Sequence, residues 1–377
     1  MKRKTGFAAL LAGIILLTGC REAVPVERET SESSSGGIQI YTYTTEGSFA
    51  PEVTSGPPPT VPPESEQATV SETAAEPRDP LLPETLEEFS FPQEFYDALE
   101  ELIARYGLND GCDNTEDCLC EPEYELYDAE GNVTEPRKHC ASVYFRDINS
   151  GFEYSLNPGA HYPIASTIKI PFCTLIYRKI EAGEIDPEQV LTYEERHYFE
   201  GTGDIVKGDF GQQFTVRELL QLAITKSDNV AYEMLKDLVS WEEFSDFLAA
   251  EGCTHPEDLR KSKQKICCES AGAYGRILAR YLRSGGEWVE AFKEDLLNTR
   301  LKMIRSDYNV YRKYGWAGFS FHDIAYIDAP RPYILAVMTN LEGELDSDYK
   351  FYKELSKLFQ EYTQNADGEI LSSSEIN

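Results

Sequence analysis

The most constraining feature of this chain is that a long helical stretch separates its strand-forming residues into two groups. Residues 141–147 and 152–156 read as strands joined by the turn signal Asn149-Ser150-Gly151. Residues 185–286 have the patterns of helices. Three further strand-like runs lie near the C-terminus, at 309–316, 321–327 and 333–339. This order predicts a fold of the α/β class, α+β type, in which one antiparallel sheet has helices segregated beside it.

Helix start and stop signals are found on both sides of the strand groups. A first helix is predicted between Pro92 and Gly107, and another from near Ser166 to Gly183. Thr215-Val-Arg-Glu218 and Ser240-Trp-Glu-Glu243 are capping boxes, which mark two helix N-termini. The apolar spacing at the C-terminus predicts a last helix over 347–362.

The first twenty residues have the pattern of an export signal. Lys2-Arg3-Lys4 precedes an apolar run over 7–17, which is shorter than the roughly 20 apolar residues that cross a membrane. The run ends in Leu17-Thr18-Gly19-Cys20, which resembles the lipobox of bacterial lipoproteins. That resemblance implies lipid attachment at Cys20 and an exported protein held on the outer face of the bacterial cytoplasmic membrane. The alternative is an ordinary secretory signal.

Composition divides the rest of the chain into three parts. Residues 21–90 hold 10 of the 20 prolines and 14 acidic residues against 3 basic ones, so they cannot bury enough apolar surface to fold and are predicted to be a disordered stalk. Residues 91–365 are long enough for one large domain, with a helical subdomain at about 185–290. Residues 366–377 are predicted to be a disordered tail.

The net charge of −31 limits the partners that the chain can have. A strongly acidic protein repels nucleic acid and anionic lipid, so we expect no nucleic-acid partner. Membrane attachment is expected only through the lipid at Cys20. We expect a monomer without a cofactor.

Eight cysteines follow Cys20. Export permits disulfides, which we expect for some of them. Free thiols are one alternative, and a zinc site in the cluster Cys112, Cys118 and Cys120, with His139-Cys140 downstream, is another. The pairing cannot be derived from the sequence.

Ser166-Thr-Ile-Lys169 is the first of three short motifs that carry chemistry. A serine hydroxyl is a poor nucleophile until a base lies within hydrogen-bond reach. On a helix, Lys169 lies one turn after Ser166 on the same face, and half-burial would lower its pKa. The helix N-terminus would favour a developing oxyanion. The alternative is an N-cap serine followed by an exposed lysine.

Two further motifs follow in a fixed order. Ser227-Asp-Asn229 interrupts a helical run, because its three side chains compete with helical backbone bonding. It is either a plain connector or a loop directed into a cleft. Lys313-Tyr-Gly315 lies on a predicted strand, where Gly315 would let the backbone approach a ligand closely. The alternative for Lys313 is a surface position on an edge strand.

With these motifs, residues 139–363 resemble the class A β-lactamase and penicillin-binding-protein superfamily of serine hydrolases, most closely in Tyr162 to Lys169 and Thr215 to Asn229. The resemblance implies a five-stranded antiparallel sheet flanked by helices, an all-helical subdomain, and a site between them. It also implies a role for each motif residue: Ser166 as acylated nucleophile, Lys169 as its base, Ser227 as proton shuttle, Asn229 as substrate-amide ligand, Lys313 and Gly315 on the opposite wall, and Trp316 as the second backbone N–H donor of the oxyanion hole.

Several residues depart from that family pattern. The stretch 252–268 is shorter than the corresponding loop and lacks the E-x-x-L-N setting of the deacylating Glu, although Glu257 and Glu269 are nearby. Tyr314 replaces the usual hydroxyl residue of K-T-G. His322 falls one residue from the place of a carboxylate-binding Arg, and its alternative role is a structural pairing with Asp323. Cys173 stands where the family often has a bridged cysteine, but the partner position is Leu220, so we expect no such bridge.

Two hypotheses follow for the function. The first is a serine hydrolase, acylated at Ser166 by β-lactams or related amides and slow to deacylate. The second is a surface lipoprotein, non-catalytic or directed to cell-wall peptides ending in D-Ala, which binds penicillins.

Overall fold

The computed structural model describes residues 79–108, 126–127, 130, 133–135, 139–253, 265–341 and 349–365. The helices are α1 Gln93–Arg105, α2 Lys169–Glu181, α3 Val216–Thr225, α4 Asn229–Leu235, α5 Trp241–Ala250, α6 Cys268–Leu282, α7 Val289–Leu297 and α8 Lys350–Gln364. The strands are β1 Leu126–Tyr127, β2 Val133–Glu135, β3 Ala141–Asp147, β4 Glu153–Leu156, β5 Tyr162–Pro163, β6 Val190–Thr192, β7 Gln213–Thr215, β8 Lys265–Ile266, β9 Asn309–Ala317, β10 Ser320–Asp328 and β11 Tyr333–Thr339.

Five of these strands form the central antiparallel sheet, in the order β4-β3-β11-β10-β9. Among the three C-terminal strands, β11 pairs with β3, β10 pairs with β11, and β9 lies at the edge. Strands from both ends of the domain therefore form one sheet. The predicted fold class is therefore confirmed. The strands of this sheet lie within a residue or two of their predicted limits, and 333–339 coincides with its prediction.

Each face of the sheet packs against its own helices. Because side chains alternate along a strand, β11 presents Leu335 and Val337 to the cluster that contains α1 and α8, and Ile334 and Ala336 to the cluster that contains α2 and α6. The second cluster is continuous with the buried residues of α3, α4 and α5. The three sequence motifs lie on or beside elements of this second side.

The stretch 185–286 is less helical than predicted. The first α-helix among its described residues begins at Val216. The described residues before it contain an antiparallel pair of short strands, β6 and β7, and one 3-10 turn, Glu195–His197. The predicted capping boxes are present. Thr215 and Glu218 bond reciprocally, and the Ser240 side chain accepts a hydrogen bond from the backbone N–H of Glu243.

The packed domain begins earlier than residue 91. Asp79 pairs with Arg146 at 2.7 Å, and Leu81 is buried in the core. Glu87 pairs with Arg331 at 3.0 Å. The end of the predicted stalk is therefore part of the domain, whereas residues 1–78 and 366–377, including Cys20, lie outside the described residues.

Three of the described cysteines are not part of the expected bridges. Cys173, Cys253 and Cys267 are free thiols. The bridge from Cys173 is absent, as expected. Cys112, Cys118 and Cys120 lie outside the described residues, and the described part of the chain contains no cluster of three metal-ligating side chains. None of the helices in the described ranges has the length and apolarity that would let it cross a bilayer.

The sheet face beneath α1 and α8 predicts one stability effect. The fully buried ring of Phe145 lies 4.9 Å from Phe91 and 5.3 Å from Phe359, centroid to centroid. Phe145→Ala leaves a cavity between these rings, so we expect it to lower the free energy of unfolding by about 3–5 kcal/mol in urea titrations. Leu86, which is 52% exposed, provides the control, and Leu86→Ala should change stability by less than about 0.5 kcal/mol. Equal effects of the two variants would contradict the packing described here.

Candidate active site

Ser166 lies in a tight turn that leads into α2. The 3-10 helix Ala165–Ile168 passes directly into α2 at Lys169, so the predicted helix start is confirmed with a tighter first turn. Ala165 has φ of +50°, which is unfavourable for a residue with a Cβ and costs on the order of 1–3 kcal/mol. The strained residue holds the half-buried Ser166 at the N-terminal end of two successive helical segments.

The side chain of Lys169 is buried against Ser166 and the second motif. Its Nζ lies 3.3 Å from Ser166 Oγ, 2.7 Å from the carbonyl oxygen of Ser227 and 2.9 Å from Asn229 Oδ1. Burial lowers the pKa of Lys169 to about 7, although the nearby Asp228 carboxylate acts in the opposite direction. This lysine is therefore able to change protonation state near neutral pH.

The second motif forms the loop between α3 and α4. Ser227 has φ of +55°, a second strained residue. The buried Asp228 accepts hydrogen bonds from Ala231 N–H at 2.9 Å, which caps α4, and from Asp204 N–H at 2.6 Å. Asn229 donates through Nδ2 to the carbonyl oxygen of Glu200 at 3.2 Å. The motif therefore connects two helices and is also fixed from both sides next to Lys169.

Lys313 is fully buried, which excludes the surface alternative. Its Nζ donates to Ser227 Oγ at 2.9 Å and to the carbonyl oxygen of Tyr314 at 2.8 Å. Burial and the neighbouring charge of Lys169 hold its pKa well below the usual range. One chain of contacts therefore joins the three motifs, from Ser166 through Lys169 and Ser227 to Lys313.

Gly315 brings β9 against the Ser166 turn. A Cβ at Gly315 would lie 3.0 Å from Thr167 Cγ2 and 3.1 Å from Ala165 Cβ, so a larger residue would force the two elements apart. Trp316 follows on the same strand with its indole 55% exposed and stacked on Phe321. The backbone of β9 thus lies alongside the turn that holds Ser166, as the prediction for Gly315 and Trp316 requires.

Comparison with known proteins agrees with this arrangement. The family model described as the Beta-lactamase enzyme family matches residues 131–363. The chain belongs to this family.

Relatives of known sequence are distant. The extended-spectrum β-lactamase PER-1 of Pseudomonas aeruginosa is 30% identical over 87 residues, which cover 22% of this chain and 28% of that enzyme. The β-lactamase VEB-1 of the same organism is 23% identical over 110 residues, 29% of this chain and 37% of that enzyme. The chain therefore matches about a third of the length of these curated relatives.

Solved structures share the fold. The ancestral class A β-lactamase GNCA superposes with a TM-score of 0.52 at 19% identity, covering 70% of this chain and 98% of that one. The structure of PBP-A superposes with a TM-score of 0.51 at 18% identity, covering 60% of this chain and 92% of that one. At such identities the likeness concerns the fold, and the chain has the mixed α/β architecture of this superfamily.

The position of His322 does not suit the expected role of binding a substrate carboxylate. It is fully buried, its Nε2 lies 2.8 Å from the carbonyl oxygen of Pro163, and burial lowers its pKa to about 4. A neutral ring without exposed surface cannot contact a substrate in this conformation. The alternative pairing of His322 with Asp323 is not formed either, because adjacent strand residues face opposite sides, and Asp323 accepts from the backbone N–H of Ile304 at 2.9 Å.

Of the two candidates for a deacylating carboxylate, only Glu269 can be placed relative to Ser166. Glu257 lies outside the described residues. Glu269 is exposed in the first turn of α6 and lines a cavity with Tyr144 and Arg276 instead. Within the described ranges, no carboxylate forms a hydrogen bond with Ser166 or Lys169.

The sequence prediction missed the position of Tyr314. The ring lies under the ammonium group of Lys313, 3.8 Å from Nζ to the centroid, and its hydroxyl is close enough to interact with Ser227. The ring, which is buried in the cluster that contains α1 and α8, therefore contacts the buried ammonium group of Lys313. The signal available in the sequence was the aromatic residue at the middle position of K-x-G. The direction of its side chain depends on the conformation of the surrounding backbone, which the sequence pattern does not give.

The lowered pKa of Lys169 predicts the pH dependence of serine reactivity. A neutral lysine is required to accept the Ser166 proton, so the rate of labelling by a fluorophosphonate should rise about tenfold per pH unit below 7 and level off above about pH 8. We expect Lys169→Ala to slow labelling by about 10²–10⁴-fold.

Lys179, on the same helix but paired with Glu184 and Glu243, serves as the control. Lys179→Ala should keep both the rate and the pH profile. A wild-type profile that is flat between pH 5 and 9 would contradict the role of Lys169 as the base.

Proposed function

We propose that this protein is a serine hydrolase that is acylated at Ser166 by β-lactams or related amides and that deacylates slowly. The observation that supports it most directly is the geometry at Lys169 Nζ. Two of its three neighbours, the Ser227 carbonyl and Asn229 Oδ1, can only accept hydrogen bonds. A neutral amine has two N–H groups for these acceptors, and its lone pair is then directed to the Ser166 hydroxyl.

Acylation follows from this arrangement. Lys169 takes the Ser166 proton as Oγ forms a bond to the substrate carbonyl carbon, and the backbone N–H groups of Ser166 and Trp316 stabilise the resulting oxyanion. Ser227 accepts a hydrogen bond from Lys313, which leaves its own proton for the departing nitrogen. The C–N bond then breaks, leaving an ester on Ser166 and a neutral amine product, and the proton held by Lys169 must pass to Ser227 to restore its hydroxyl.

Deacylation needs a second base that activates water. The lack of the E-x-x-L-N setting and of a described carboxylate that bonds Ser166 or Lys169 supports a long-lived acyl-enzyme. Lys169 must hand on its proton before it can act again. We therefore infer that the acyl-enzyme accumulates rather than turning over rapidly.

Incubation with a penicillin tests this proposal. Intact-mass spectrometry should show one rapidly formed adduct that declines slowly, and Ser166→Ala should show none. The matched control is Ser155→Ala, a serine on β4 that lies outside the three motifs and should not affect labelling. Rapid hydrolysis of a chromogenic cephalosporin without a burst would contradict slow deacylation, and equal labelling of Ser166→Ala would refute the nucleophile assignment.

The contact between Tyr314 and Lys313 favours a second candidate, a penicillin-binding lipoprotein directed to cell-wall peptides that end in D-Ala. Tyr314 alters the wall that would receive the substrate carboxylate. This candidate predicts release of D-alanine from a synthetic peptide ending in D-Ala-D-Ala, or, for a non-catalytic protein, reversible penicillin binding that survives Ser166→Ala.

Export and lipid anchoring at Cys20 are part of the same proposal, supported by the basic, apolar and Gly-Cys order of the leader. In a bacterial host, the wild-type protein should fractionate with membranes and incorporate labelled palmitate. Cys20→Ala should abolish palmitate incorporation, whereas Cys173→Ala, a buried thiol, should not. Incorporation into the Cys20→Ala protein would contradict the proposal.

A further inference from the structure

A stretch of irregular chain, residues 200–205, lies against the loop that carries the second motif. The carbonyl oxygen of Glu200 accepts a hydrogen bond from Asn229 Nδ2 at 3.2 Å, and that of Thr202 accepts one from the Asn229 backbone N–H at 2.9 Å. Two further backbone N–H groups of the stretch donate to the Asp228 carboxylate, at 2.6 and 2.9 Å. No motif in the sequence marks this stretch, so its contacts with the loop require an explanation of their own.

Two glycines allow this close approach. Gly201 and Gly203 have φ of +133° and +144°, which residues with a Cβ rarely adopt. A Cβ at Gly201 would lie 2.5 Å from Asn229 Nδ2, and a Cβ at Gly203 would overlap the Asp228 carboxylate. The two glycines therefore place the residue between them, the half-buried Thr202, directly against the loop.

The side chain of Thr202 binds the same oxygen as Lys169. Thr202 Oγ1 donates to the carbonyl oxygen of Ser227 at 2.9 Å, and Lys169 Nζ donates to that oxygen at 2.7 Å. A backbone carbonyl oxygen has two lone pairs, so these two donors use both. Ser227 is also the strained residue, with φ of +55°. The Thr202 hydroxyl therefore helps to hold a strained peptide group in the orientation that faces Lys169.

The second donor also limits how well this oxygen stabilises a positive charge. Hydrogen bonds from an ammonium group are stronger than those from a neutral amine, so an acceptor that served Lys169 alone would favour the protonated lysine. The Thr202 hydroxyl uses part of the acceptor capacity of the Ser227 carbonyl. The charged form of Lys169 is stabilised less as a result, and the neutral form is the one that can take the Ser166 proton.

Other titratable groups face Lys169 from four parts of the fold. Apart from burial, the groups that act on it are Asp228 in the loop, Cys173 on α2, Glu233 on α4 and the charge of Lys313 on β9. A substitution at Thr202 leaves all four in place. A change in the pH dependence of the reaction after such a substitution therefore reports on the Thr202 hydroxyl.

We propose that Thr202 is a positioning residue for the reaction at Ser166, because its hydroxyl fixes the Ser227 carbonyl oxygen and shares it with Lys169. Gly201 and Gly203 are the residues that bring it there. Thr202 acts through Lys169 and is not assigned a contact with the substrate. This inference rests on the proposed function, since it requires Ser166 and Lys169 to act as nucleophile and base.

The pH dependence of Ser166 labelling by a fluorophosphonate tests this role. Thr202→Val removes the hydroxyl with little change of shape, so the rising part of the profile should move up by about one pH unit. Labelling at pH 6 should then fall about tenfold, while the rate above pH 9 should stay within about threefold of the wild type. Thr202→Ser keeps a hydroxyl and should restore the wild-type profile.

Three outcomes would overturn the proposal. They are a Thr202→Val profile that coincides with the wild type, one that is lowered equally at every pH, and a Thr202→Ser profile that matches Thr202→Val. A purely structural role lowers the rate without moving the profile. Thr363→Val is the matched control, because the Thr363 hydroxyl also donates to a backbone carbonyl, that of Phe359 on α8, at 2.6 Å. This variant should keep the wild-type profile.

A glycine substitution tests the placement of Thr202 separately. Gly201→Ala introduces a Cβ against Asn229 Nδ2, so it should slow labelling about tenfold or more at every pH. Gly208 is the control, since its φ of +101° is equally unfavourable for alanine but a Cβ there would have no described atom within 4 Å. Equal rates for Gly201→Ala and Gly208→Ala would contradict the close approach.

Failure of this inference differs from failure of the proposed function. If Ser166 of the wild type is labelled neither by the fluorophosphonate nor by a penicillin, both are overturned. If the wild type is labelled and Thr202→Val behaves like Thr202→Ser, only the role of Thr202 is overturned. Thermal midpoints report whether the variants fold. If Thr202→Val unfolds, Thr202→Ala also lacks the hydroxyl and provides the same comparison with Thr202→Ser.

Discussion

The burial of two lysines around one serine is the constraint on which the rest of the site depends. Lys169 and Lys313 both contact Ser227, one at its carbonyl oxygen and the other at its hydroxyl. Two ammonium groups so close together, away from water, repel each other and lose hydration energy. The protein reduces this cost by keeping the lysines partly neutral, which is the state in which a lysine can act as a base.

That constraint accounts for the strained and close-packed residues nearby. Ala165 and Ser227 are held in left-handed conformations, and Gly315 allows β9 to touch the Ser166 turn. Asp228 binds the loop at Asp204 and caps α4, so the backbone carbonyl that receives Lys169 cannot move away. The local unfavourable conformations persist because the packing around them fixes the chain from several sides.

The sequence predicted the sheet well because its strands carry strong β-branched and aromatic patterns. It also grouped Ser166, Lys169, Ser227 and Asn229, which are close in helical spacing or flank a helix break, and the structure brings these four residues into contact. The hairpin of β6 and β7 was missed, since three-residue strands leave no periodic pattern. His322 was misplaced because its assignment followed spacing in a related family, whereas burial is decided by the turn that packs over β10. The contact between Thr202 and Ser227 joins residues that are 25 positions apart in sequence, so no local pattern could indicate it.

The way in which the chain enters the domain has a mechanical consequence. Asp79 is held by Arg146 on β3, and Glu87 is held by Arg331 before β11. Any tension along the preceding residues is therefore transmitted first to two ion pairs on the sheet, and not to the turn that holds Ser166 or to the loop that holds Ser227. The geometry around Ser166 and Ser227 can therefore stay constant while the protein is pulled from its N-terminal side.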